Sequence, residues 1–445
     1  MNKFLIQQAT LVNEEKSFIS DVLIEGEKIA EIAPHISVPE DCSVLDARGL
    51  HLIPGLIDDQ VHFREPGLTH KATIGSESKA AVAGGITSYL EMPNTQPQTT
   101  TAAAFQDKLD RASKTSWANY NFLFGGTNDN LEEIKAIDLQ IVAGLKLFLG
   151  SSTGHMLVDN EEVLQSIFSN TPLRIAVHCE DEQTIRANLA AHKEEYGDSI
   201  PIDKHPVIRS EEACYKSSSK AVALAQQTGA RLHVFHLSTA RELALFQNDL
   251  PLQQKKITAE VCVHHLWFSD EDYAKKGTLI KWNPAVKKAS DREALWEALN
   301  DDRIDVIATD HAPHTWDEKQ QDYVQAPSGG PLVQHALMAL LHCVKQGKIS
   351  LEKLVQKACH NPALLFDISK RGFIRPGYYA DLVLVNLQEN YTVTQENILA
   401  QCGWSPFLGQ TFDARIEHTL VNGHLAYSQG KLLDRPPVKA LTFDR

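Results

Sequence analysis

The feature that most constrains the fold of this chain is a series of eight apolar runs of strand length in its middle. They occupy residues 56–62, 86–92, 120–124, 141–148, 173–178, 232–236, 257–263 and 304–310. Most of the intervals hold a helix-like segment, at 76–83, 102–112, 160–168, 211–227, 241–247 and 291–299. Buried strands that alternate with helices form a parallel sheet covered by helices. The pattern predicts an α/β fold, a (β/α)8 barrel of the TIM type, whose outer ring is completed by helices at 332–345 and 351–357.

The two ends of the chain follow a different pattern, in which short strands succeed one another without an intervening helix. Strand-like segments lie at 3–7, 21–25, 28–32 and 43–46, and again at 381–385, 416–421 and 424–427. Asn422-Gly423, between the last two segments, is typical of a hairpin turn. At 445 residues the chain is long enough for a barrel and a smaller companion. We therefore predict a β-sandwich domain built from residues 1–53 and 376–445, and a catalytic barrel from residues 54–375.

Charge and composition narrow the class of partner. The formal net charge of -14 argues against nucleic acid or an anionic membrane surface, although local cations can still bind an anionic small molecule. No apolar run approaches the roughly 20 residues of a membrane helix, and the first residues lack a signal-peptide core. The 7 cysteines have no paired spacing, which favours reduced thiols. We expect a cytoplasmic protein that acts on a small molecule and binds neither nucleic acid nor a membrane.

Polar side chains stand at the carboxyl ends of the predicted barrel strands, the end at which barrel enzymes place their sites. They are His62 on the first strand, Lys146 on the fourth, His178 on the fifth, His236 on the sixth and Asp310 on the eighth. A single histidine at a strand end is more often a hydrogen-bonded surface residue than a metal ligand. Five such side chains on one rim instead offer the nitrogen and carboxylate ligands of a zinc-like ion that keeps a position open for water.

Lys146 interrupts an apolar strand at 141–149, and a buried ammonium without a partner is costly. Two interpretations follow from the residues. The lysine either snorkels to the rim and pairs with an acidic residue such as Asp310, or it loses its proton and reacts with carbon dioxide. The carbamate formed in the second case would be an anionic bridge between two metal ions.

Three further polar residues follow barrel strands and are candidates for substrate contact. Arg64 and Asn94 come after the first and second strands, and an arginine grips a carboxylate with two parallel hydrogen bonds. A surface salt bridge between Arg64 and Glu65 is the alternative. Asn283 precedes a proline and fits a turn former at least as well.

Several histidines accompany these candidates. His311 and His314 follow Asp310 directly, so that one of them could orient the aspartate and the other could reach a substrate. His233, three residues before His236, is predicted to be buried on the opposite face of its strand and to have a structural role. His264 and His265 are predicted to have structural or supporting roles.

These strings together resemble the dihydroorotases of the amidohydrolase superfamily. The matching pieces are PGLID at 54–58, HFREPG at 62–67, AGGIT at 83–87, MPNT at 92–95, HCE at 178–180, HVFHLST at 233–239, NP at 283–284, TDHAPH at 309–314, APSG at 326–329, NPA at 361–363 and GYYADLV at 377–383. A piece such as ADLV is shared across the superfamily. The combination of HFR-x-PG with MPNT is more specific, because related hydantoinases and allantoinases usually lack that arginine.

The resemblance implies the reversible, metal-dependent cyclisation of N-carbamoyl-L-aspartate to L-dihydroorotate in pyrimidine biosynthesis. It implies one or two zinc ions per subunit and, by analogy only, a homodimer. The metal ligands at the matching positions are His62, His178, His236 and Asp310, with carboxylated Lys146 as the bridge. Asp310 would also be the general acid and base. The implied substrate contacts are Arg64, Asn94 and His314 on the carboxylate, and Asn283, Ser328 and Gly329 around the ring.

The chain departs from the family pattern at two points. The family usually has a second histidine two residues before His62, where this chain has Gln60. An amide oxygen is a poorer zinc ligand than imidazole, so Gln60 would hold an outer ion weakly, and the sequence leaves one or two ions open. Some relatives bridge with an aspartate a few residues after the Lys146 position. Here the stretch Gly150-Ser-Ser-Thr-Gly154 has no carboxylate, which favours Lys146 as the bridge.

Two alternative functions stay open at this point. The first is another cyclic amidohydrolase, a hydantoinase or an allantoinase. The second is a catalytically silent dihydroorotase-like subunit that scaffolds a transcarbamoylase, and Gln60 is its only support. The presence of Lys146, His178, His236 and Asp310 argues against the silent subunit.

Overall fold

The computed structural model describes residues 3–150 and 156–445. Strands are numbered in chain order: β1 (Lys3–Asn13), β2 (Lys16–Glu25), β3 (Lys28–Ala33), β4 (Cys42–Asp46), β5 (His51–Pro54), β6 (Leu56–Val61), β7 (Ile86–Glu91), β8 (Asn119–Gly125), β9 (Gly144–Phe148), β10 (Ile175–His178), β11 (Leu232–Val234), β12 (Ile257–Cys262), β13 (Val306–Ala308), β14 (Leu382–Asn386), β15 (Tyr391–Thr392), β16 (Thr411–Phe412), β17 (Arg415–Val421), β18 (His424–Ser428) and β19 (Lys431–Leu432).

The α-helices are numbered in the same way: α1 (Ile74–Ala83), α2 (Ala102–Thr115), α3 (Leu131–Lys135), α4 (Glu161–Asn170), α5 (Glu182–Tyr196), α6 (His205–Ile208), α7 (Glu211–Thr228), α8 (Val263–Trp267), α9 (Tyr273–Lys276), α10 (Ala289–Asn300), α11 (Trp316–Lys319), α12 (Ala336–Lys345), α13 (Leu351–Val355) and α14 (Asn361–Leu365). Short 3-10 helices lie at Ile202–Lys204, Arg241–Leu245, Leu252–Gln254, Asp270–Asp272, Gly277–Ile280 and Gln395–Asn397, and a π-helical turn lies at Gln356–His360.

The strands β6 to β13 form one 8-stranded sheet in sequence order, and each of these strands is parallel to the next. The first and last strands meet just beyond their ends, where Val61 bridges His311 and the His62 amide donates to the His311 carbonyl at 2.7 Å. The sheet is therefore a nearly closed barrel, and the predicted (β/α)8 fold is confirmed. The predicted helix at 241–247 is a 3-10 helix instead, at Arg241–Leu245.

The barrel strands are buried on both faces, which explains why they read as continuous apolar runs. Apolar side chains fill the interior below the rim, among them Ile57, Leu123, Ala176 and Phe235. The polar side chains of the rim thus lie above a closely packed apolar core, and the strands that carry them fix their positions.

The two chain ends combine in one 9-stranded sheet, in the order β19-β18-β17-β14-β5-β1-β2-β3, with β4 also paired to β1. The junction between the two ends is the antiparallel pair of β5 and β14, in which Pro54 faces Leu382. Asn422 and Gly423, with φ of 47° and 74°, form the predicted hairpin turn between β17 and β18. The prediction that both ends build one β domain is confirmed.

The last residues of the chain leave this sheet and contact the barrel. The Leu441 amide donates to the Tyr120 carbonyl at 2.8 Å, and Ala440 bridges Tyr120. Leu441 and Phe443 pack in the same cluster as the apolar barrel interior. Within the described part of the chain, no helix combines the length and apolar character needed to cross a membrane.

Candidate active site

The parallel barrel brings the five predicted rim residues to one mouth of the sheet. His62 follows β6 directly, Lys146 lies within β9, His178 ends β10, His236 follows β11 by two residues, and Asp310 follows β13 by two residues. Since parallel strands end on the same side, these side chains share the carboxyl-terminal rim. Lys146, His178, His236 and Asp310 are buried, and the His62 side chain is 12% exposed to solvent.

His178 and His236 turn ring nitrogens toward each other, with Nδ1 of His178 at 3.0 Å from Nε2 of His236. The other nitrogen of His178, Nε2, contacts the Glu180 carboxylate at 3.0 Å, and Glu180 in turn pairs with Arg209. Although burial opposes it, Arg209 and His178 lower the pKa of Glu180 to about 2, so this carboxylate is ionised and accepts the Nε2 proton. A neutral His178 then presents the lone pair of Nδ1 to the rim, as a metal-ligating histidine does.

Two further observations support a cation at this point. Nδ1 of His236 is buried and has no hydrogen-bond partner among the described residues. Burial, together with His178 and Lys146, lowers the pKa of His236 well below its usual value, so the ring stays neutral and one of its nitrogens presents a lone pair. Two imidazoles that face each other are donors that suit a divalent transition metal ion, so this pair fits the predicted ion.

His62 and Asp310 form the other half of the rim. Nε2 of His62 lies 3.1 Å from Oδ1 of Asp310, and Nδ1 of His62 lies 2.9 Å from Oδ1 of Asn94. Asn94, predicted as a substrate contact, therefore orients a predicted ligand in this structure. Asp310 and His236 have φ of 48° and 42°, a left-handed backbone that non-glycine residues adopt at a cost and that clusters at functional sites.

Lys146 is fully buried, and its Nζ has no hydrogen-bond partner among residues 3–150 and 156–445. Its neighbours are aromatic: Nζ lies 4.1 Å from the ring centroid of Phe235 and 5.0 Å from that of Phe148. Burial lowers the pKa of Lys146 to about 7, while Glu260 and Asp310 oppose the shift from beyond hydrogen-bond distance. The amine is therefore largely neutral just above neutral pH, as carbamate formation requires. The sequence argument from 150–154 falls mostly on residues 151–155, which lie outside the described residues.

Gln60, predicted as a weak metal ligand, is buried in β6. Its Oε1 lies 3.7 Å from the Cys262 thiol, at the end of β12. The amide oxygen of Gln60 thus faces a sulfur at the end of another barrel strand.

A cationic pocket adjoins the rim on the side of Arg64. Its guanidinium donates from Nε to the Pro313 carbonyl at 3.0 Å and contacts Nε2 of His314 at 3.0 Å through Nη2. Nε2 of His314 also lies 2.9 Å from the Ser328 carbonyl oxygen. The predicted residues Arg64, His314 and Ser328 are therefore brought together. Glu65 instead accepts from the Ile74 amide at 2.9 Å, so the alternative of an Arg64–Glu65 pair is not observed.

Lys71 completes this pocket and was missed in the sequence analysis. Its Nζ lies 3.0 Å from Nδ1 of His314 and 3.1 Å from Glu318. It belongs to the turn that follows HFREPG, where no strand or helix period indicates which way a side chain faces. Burial lowers the pKa of Arg64 to about 10, so the guanidinium stays charged at neutral pH.

Gly329 lies next to His314 in this pocket. Gly329 has a φ of 126°, and a Cβ added there would lie 2.5 Å from the Ala312 carbonyl oxygen, so only glycine lets these two backbones approach. The Gly329 amide donates to the Lys281 carbonyl at 2.8 Å. Asn283 has a buried Oδ1 without a hydrogen-bond partner in the described chain.

The remaining histidines have mainly structural contacts. His311 does not orient Asp310, because its Nε2 lies 2.8 Å from Glu77 and its Nδ1 accepts from the Leu332 amide at 2.9 Å. Nε2 of His265 lies 3.1 Å from the Pro284 carbonyl, and His264 stacks on Trp282.

His233 is buried as predicted, but it is not isolated. Nε2 of His233 lies 3.4 Å from Oδ2 of Asp59 and 3.8 Å from Oε2 of Glu260, all inside the barrel. Sequence reasoning missed this cluster. The signal available was the presence of two acidic residues within strands that are otherwise apolar.

Comparison with known proteins agrees with this geometry. The amidohydrolase family model matches residues 51–426. The dihydroorotase of Methanosarcina mazei is 33% identical over 430 residues, which cover 94% of this chain and 92% of that protein. The dihydroorotase of Lactococcus lactis is 34% identical over 432 residues, covering 95% and 99%. The solved L-hydantoinase (dihydropyrimidinase) of Arthrobacter aurescens superposes with a TM-score of 0.94 at 26% identity, over 99% of this chain and 100% of that one.

The chain therefore belongs to the amidohydrolase family. It is a metal-dependent hydrolase that acts on cyclic amides, a class of small-molecule substrate.

Proposed function

We propose that this enzyme is a dihydroorotase, which interconverts N-carbamoyl-L-aspartate and L-dihydroorotate in pyrimidine biosynthesis. The observation that carries the proposal is the buried guanidinium of Arg64. This residue lies two positions after His62 in the sequence, and its guanidinium contacts His314 and the Pro313 carbonyl. Dihydroorotate differs from a simple cyclic diamide by a carboxylate on its ring. A buried arginine beside the reacting centre is the side chain that recognises such a group.

The same geometry distinguishes the second candidate, a hydantoinase. The structural likeness to the Arthrobacter aurescens L-hydantoinase favours it, since that protein superposes over nearly the whole chain. Its identity to this chain is 26%, against 33% and 34% for the two dihydroorotases. An unsubstituted hydantoin offers no carboxylate to Arg64, so the buried guanidinium would be left with neutral partners, His314 and the Pro313 carbonyl.

In the proposed enzyme, His62, His178, His236 and Asp310 would hold the catalytic ion. Lys146, as a carbamate, would be the anionic bridging ligand where a second ion binds, and Gln60 would be a weak outer ligand. We propose zinc as the metal. When bound, it supplies an activated water at neutral pH and polarises the scissile carbonyl. Glu180 and Asn94 keep the rings of His178 and His62 in position for this role.

The protein's own residues move the proton and hold the substrate. The Asp310 carboxylate takes the proton of the attacking water and returns it to the departing ring nitrogen, and the reverse sequence closes the ring. His62 contacts Asp310 at 3.1 Å and fixes its orientation. Arg64, His314 and Asn94 bind the substrate carboxylate, so that the ring carbonyl faces the rim. Asn283 and the backbone at Ser328 and Gly329 contact the ring.

A substrate panel tests this proposal. The purified chain is assayed with dihydroorotate and N-carbamoyl-L-aspartate, and in parallel with hydantoin, dihydrouracil and allantoin. We expect turnover of the first pair in both directions, with kcat/KM at least about 100-fold above that for the rings without a carboxylate, because the buried Arg64 guanidinium would otherwise receive no anionic partner from the substrate. Asp310→Asn should abolish turnover while the metal content shows whether the site is still loaded. Preferred turnover of hydantoin or allantoin would replace the proposal by the second candidate.

Absence of turnover on the whole panel would instead revive the silent, transcarbamoylase-scaffolding subunit, against which the presence of Lys146, His178, His236 and Asp310 argues. The homodimer and the cytoplasmic location stay predictions. Light scattering on the purified chain tests the first of them.

A further inference from the structure

Three side chains from three different barrel strands meet inside the barrel, within the strands rather than beyond their ends. They are Asp59 of β6, His233 of β11 and Glu260 of β12, and each side chain is completely inaccessible to solvent. One ligand-type atom from each lies within 4.8 Å of the others. This cluster, the Asp59–His233–Glu260 cluster, shares no residue with the rim set of His62, His178, His236 and Asp310.

The outer contacts of His233 determine what it presents to the cluster. Its Nδ1 lies 2.9 Å from Oγ1 of Thr258, and that hydroxyl donates its own hydrogen to the Leu232 carbonyl at 3.1 Å. Arg174 also donates to Oγ1 of Thr258, at 3.3 Å. The threonine oxygen can therefore only accept from His233, so Nδ1 carries the proton and Nε2 presents a lone pair.

That lone pair points at two carboxylates. Nε2 of His233 lies 3.4 Å from Oδ2 of Asp59 and 3.8 Å from Oε2 of Glu260. None of these atoms, nor Oδ1 of Asp59, has a hydrogen-bond partner in residues 3–150 and 156–445. Three electron-rich atoms that face one another in a dry interior repel, unless a metal ion or a shared proton lies between them.

The second oxygen of Glu260 is already engaged. Oε1 accepts from the His236 amide at 3.1 Å and from the Cys262 thiol at 3.3 Å. Glu260 is thus fixed by one oxygen and directs the other into the cluster, while His233 is fixed by Thr258. Ligands that are oriented through their far atoms are typical of protein metal sites.

We infer that the Asp59–His233–Glu260 cluster binds a divalent transition metal ion of the zinc or manganese class, in addition to the ion at the rim. Ligand atoms about 2.0–2.1 Å from a tetrahedral ion lie about 3.3 Å apart. The two distances from Nε2 of His233, 3.4 and 3.8 Å, are close to this value, and all three ligand atoms lie within 4.8 Å of one another. One imidazole and two carboxylates are ligands common to zinc and manganese. The ion binds inside the barrel and has a structural role. Its ligand Glu260 also accepts a hydrogen bond from the backbone amide of His236, which links the ion to the rim.

The site is closed, so the ion enters while the chain folds and exchanges slowly afterwards. This inference does not rest on the proposed substrate. The competing arrangement is a proton shared between Asp59 and Glu260, which would satisfy the same oxygens without a metal. The two arrangements differ in electron density and in metal content.

The decisive measurement uses the full-length wild-type protein, expressed in medium supplemented with Zn²⁺ so that the metal is present while the chain folds, then crystallised, with anomalous data collected at the zinc edge. We expect an anomalous peak about 2.0–2.2 Å from Nε2 of His233 and from one oxygen each of Asp59 and Glu260. A zinc-loaded rim with no peak among these three residues would overturn the inference, and the shared proton would then be the explanation. Because it uses the wild-type chain, this test does not depend on the folding of a variant.

Metal content in solution provides the second measurement. After dialysis against a chelator, we expect the wild type to retain one zinc ion per chain and Asp59→Asn to retain none. Asp58→Asn is the matched control, since Asp58 is the neighbouring buried aspartate and contacts Thr309 outside the cluster. His178→Asn should lose rim zinc and keep the chelator-resistant ion. Equal retention by Asp59→Asn and Asp58→Asn would contradict the inference. Dihydroorotate turnover on the same samples reports separately on the proposed function.

Discussion

Nδ1 of His178 and Nε2 of His236 lie 3.0 Å apart at the barrel mouth, although the two residues are separated by 58 positions in the sequence. Their strands, β10 and β11, are adjacent in the barrel, and this adjacency creates the pair. The ionised Glu180 fixes the proton of His178 on Nε2, so the facing nitrogen is a lone-pair donor. The metal affinity of the rim therefore depends on a carboxylate that is not itself a ligand.

We predict that Glu180→Gln weakens metal binding at the rim about 10- to 100-fold, because the groups that hydrogen-bond to ligating histidines have effects of this size. The amide cannot fix the tautomer of His178 as a carboxylate does, and it removes the negative charge that faces Arg209. Titration of the metal-depleted protein with Zn²⁺ measures the change. Glu194→Gln, on the exposed face of α5, is the control and should bind as the wild type does. Unchanged affinity in Glu180→Gln would show that the ring of His178 is held by other contacts.

Arg64→Ala should raise KM for dihydroorotate about 100-fold and leave the metal content unchanged, since two charge-assisted hydrogen bonds to the substrate carboxylate are lost. The metal content should not change because the hydrogen bonds of the guanidinium among the described residues go to the Pro313 carbonyl and His314, and neither is a predicted metal ligand. Steady-state kinetics and metal analysis check both parts. Arg111→Ala removes a partly exposed arginine on α2 and serves as the control. An unchanged KM would remove Arg64 from the substrate site.

Much of this arrangement was predictable from the sequence, because strand ends in a parallel barrel converge whatever the details of packing. The eight apolar runs became β6 to β13, and His62, His178, His236 and Asp310 all reached the same mouth. The pocket of Arg64 and His314 followed for the same reason. The positions of the strands predicted that these side chains lie close together, and the resemblance to the dihydroorotases predicted the role of each one.

Other features depended on local backbone geometry that no periodic pattern carries. His236 has a φ of 42° and turns out of the strand, so its spacing of three from His233 does not place the two side chains on opposite faces of one continuous strand. The pairing of β6 with β7 shifts register between Asp58 and Val61, and Asp59 therefore faces the interior in a way that strict alternation does not predict. Lys71 lies in a turn, where no period applies.

Lys146 should accept carbon dioxide at a pH at which ordinary lysines do not. Burial lowers the pKa of Lys146 to about 7 from the usual value of 10.5, so the neutral, reactive amine is formed as the pH rises through 7. We expect ¹³C-bicarbonate to label one carbamate per chain, with a signal that grows between about pH 6 and 8. Carbon-13 NMR detects the label, and Lys146→Gln is the control without the amine. Absence of the signal in the wild-type protein at pH 8 would leave Lys146 as a plain amine.

Gly329→Ala should impair substrate binding more than stability. Gly329 has a φ of 126°, and an added Cβ would lie 2.5 Å from the Ala312 carbonyl, 2.8 Å from the Ala312 Cβ and 3.2 Å from Nε2 of His314. The backbone atom cannot yield without moving the segment from Asp310 to His314, so the carboxylate pocket widens.

For this variant we expect KM for dihydroorotate to rise at least about tenfold, with a smaller effect on kcat, because a shift of the positioning residues near 1 Å costs a large part of the orientation that binding supplies. Gly347→Ala is the matched control: its φ is 75°, also left-handed, and nothing lies within 4 Å of the added Cβ. Both variants carry the cost of a left-handed alanine, so their difference in KM isolates the clash at the pocket from backbone strain. Equal kinetics in the two variants, measured with their melting temperatures, would show that the loop at Gly329 relaxes away from the site and takes no part in binding the ring.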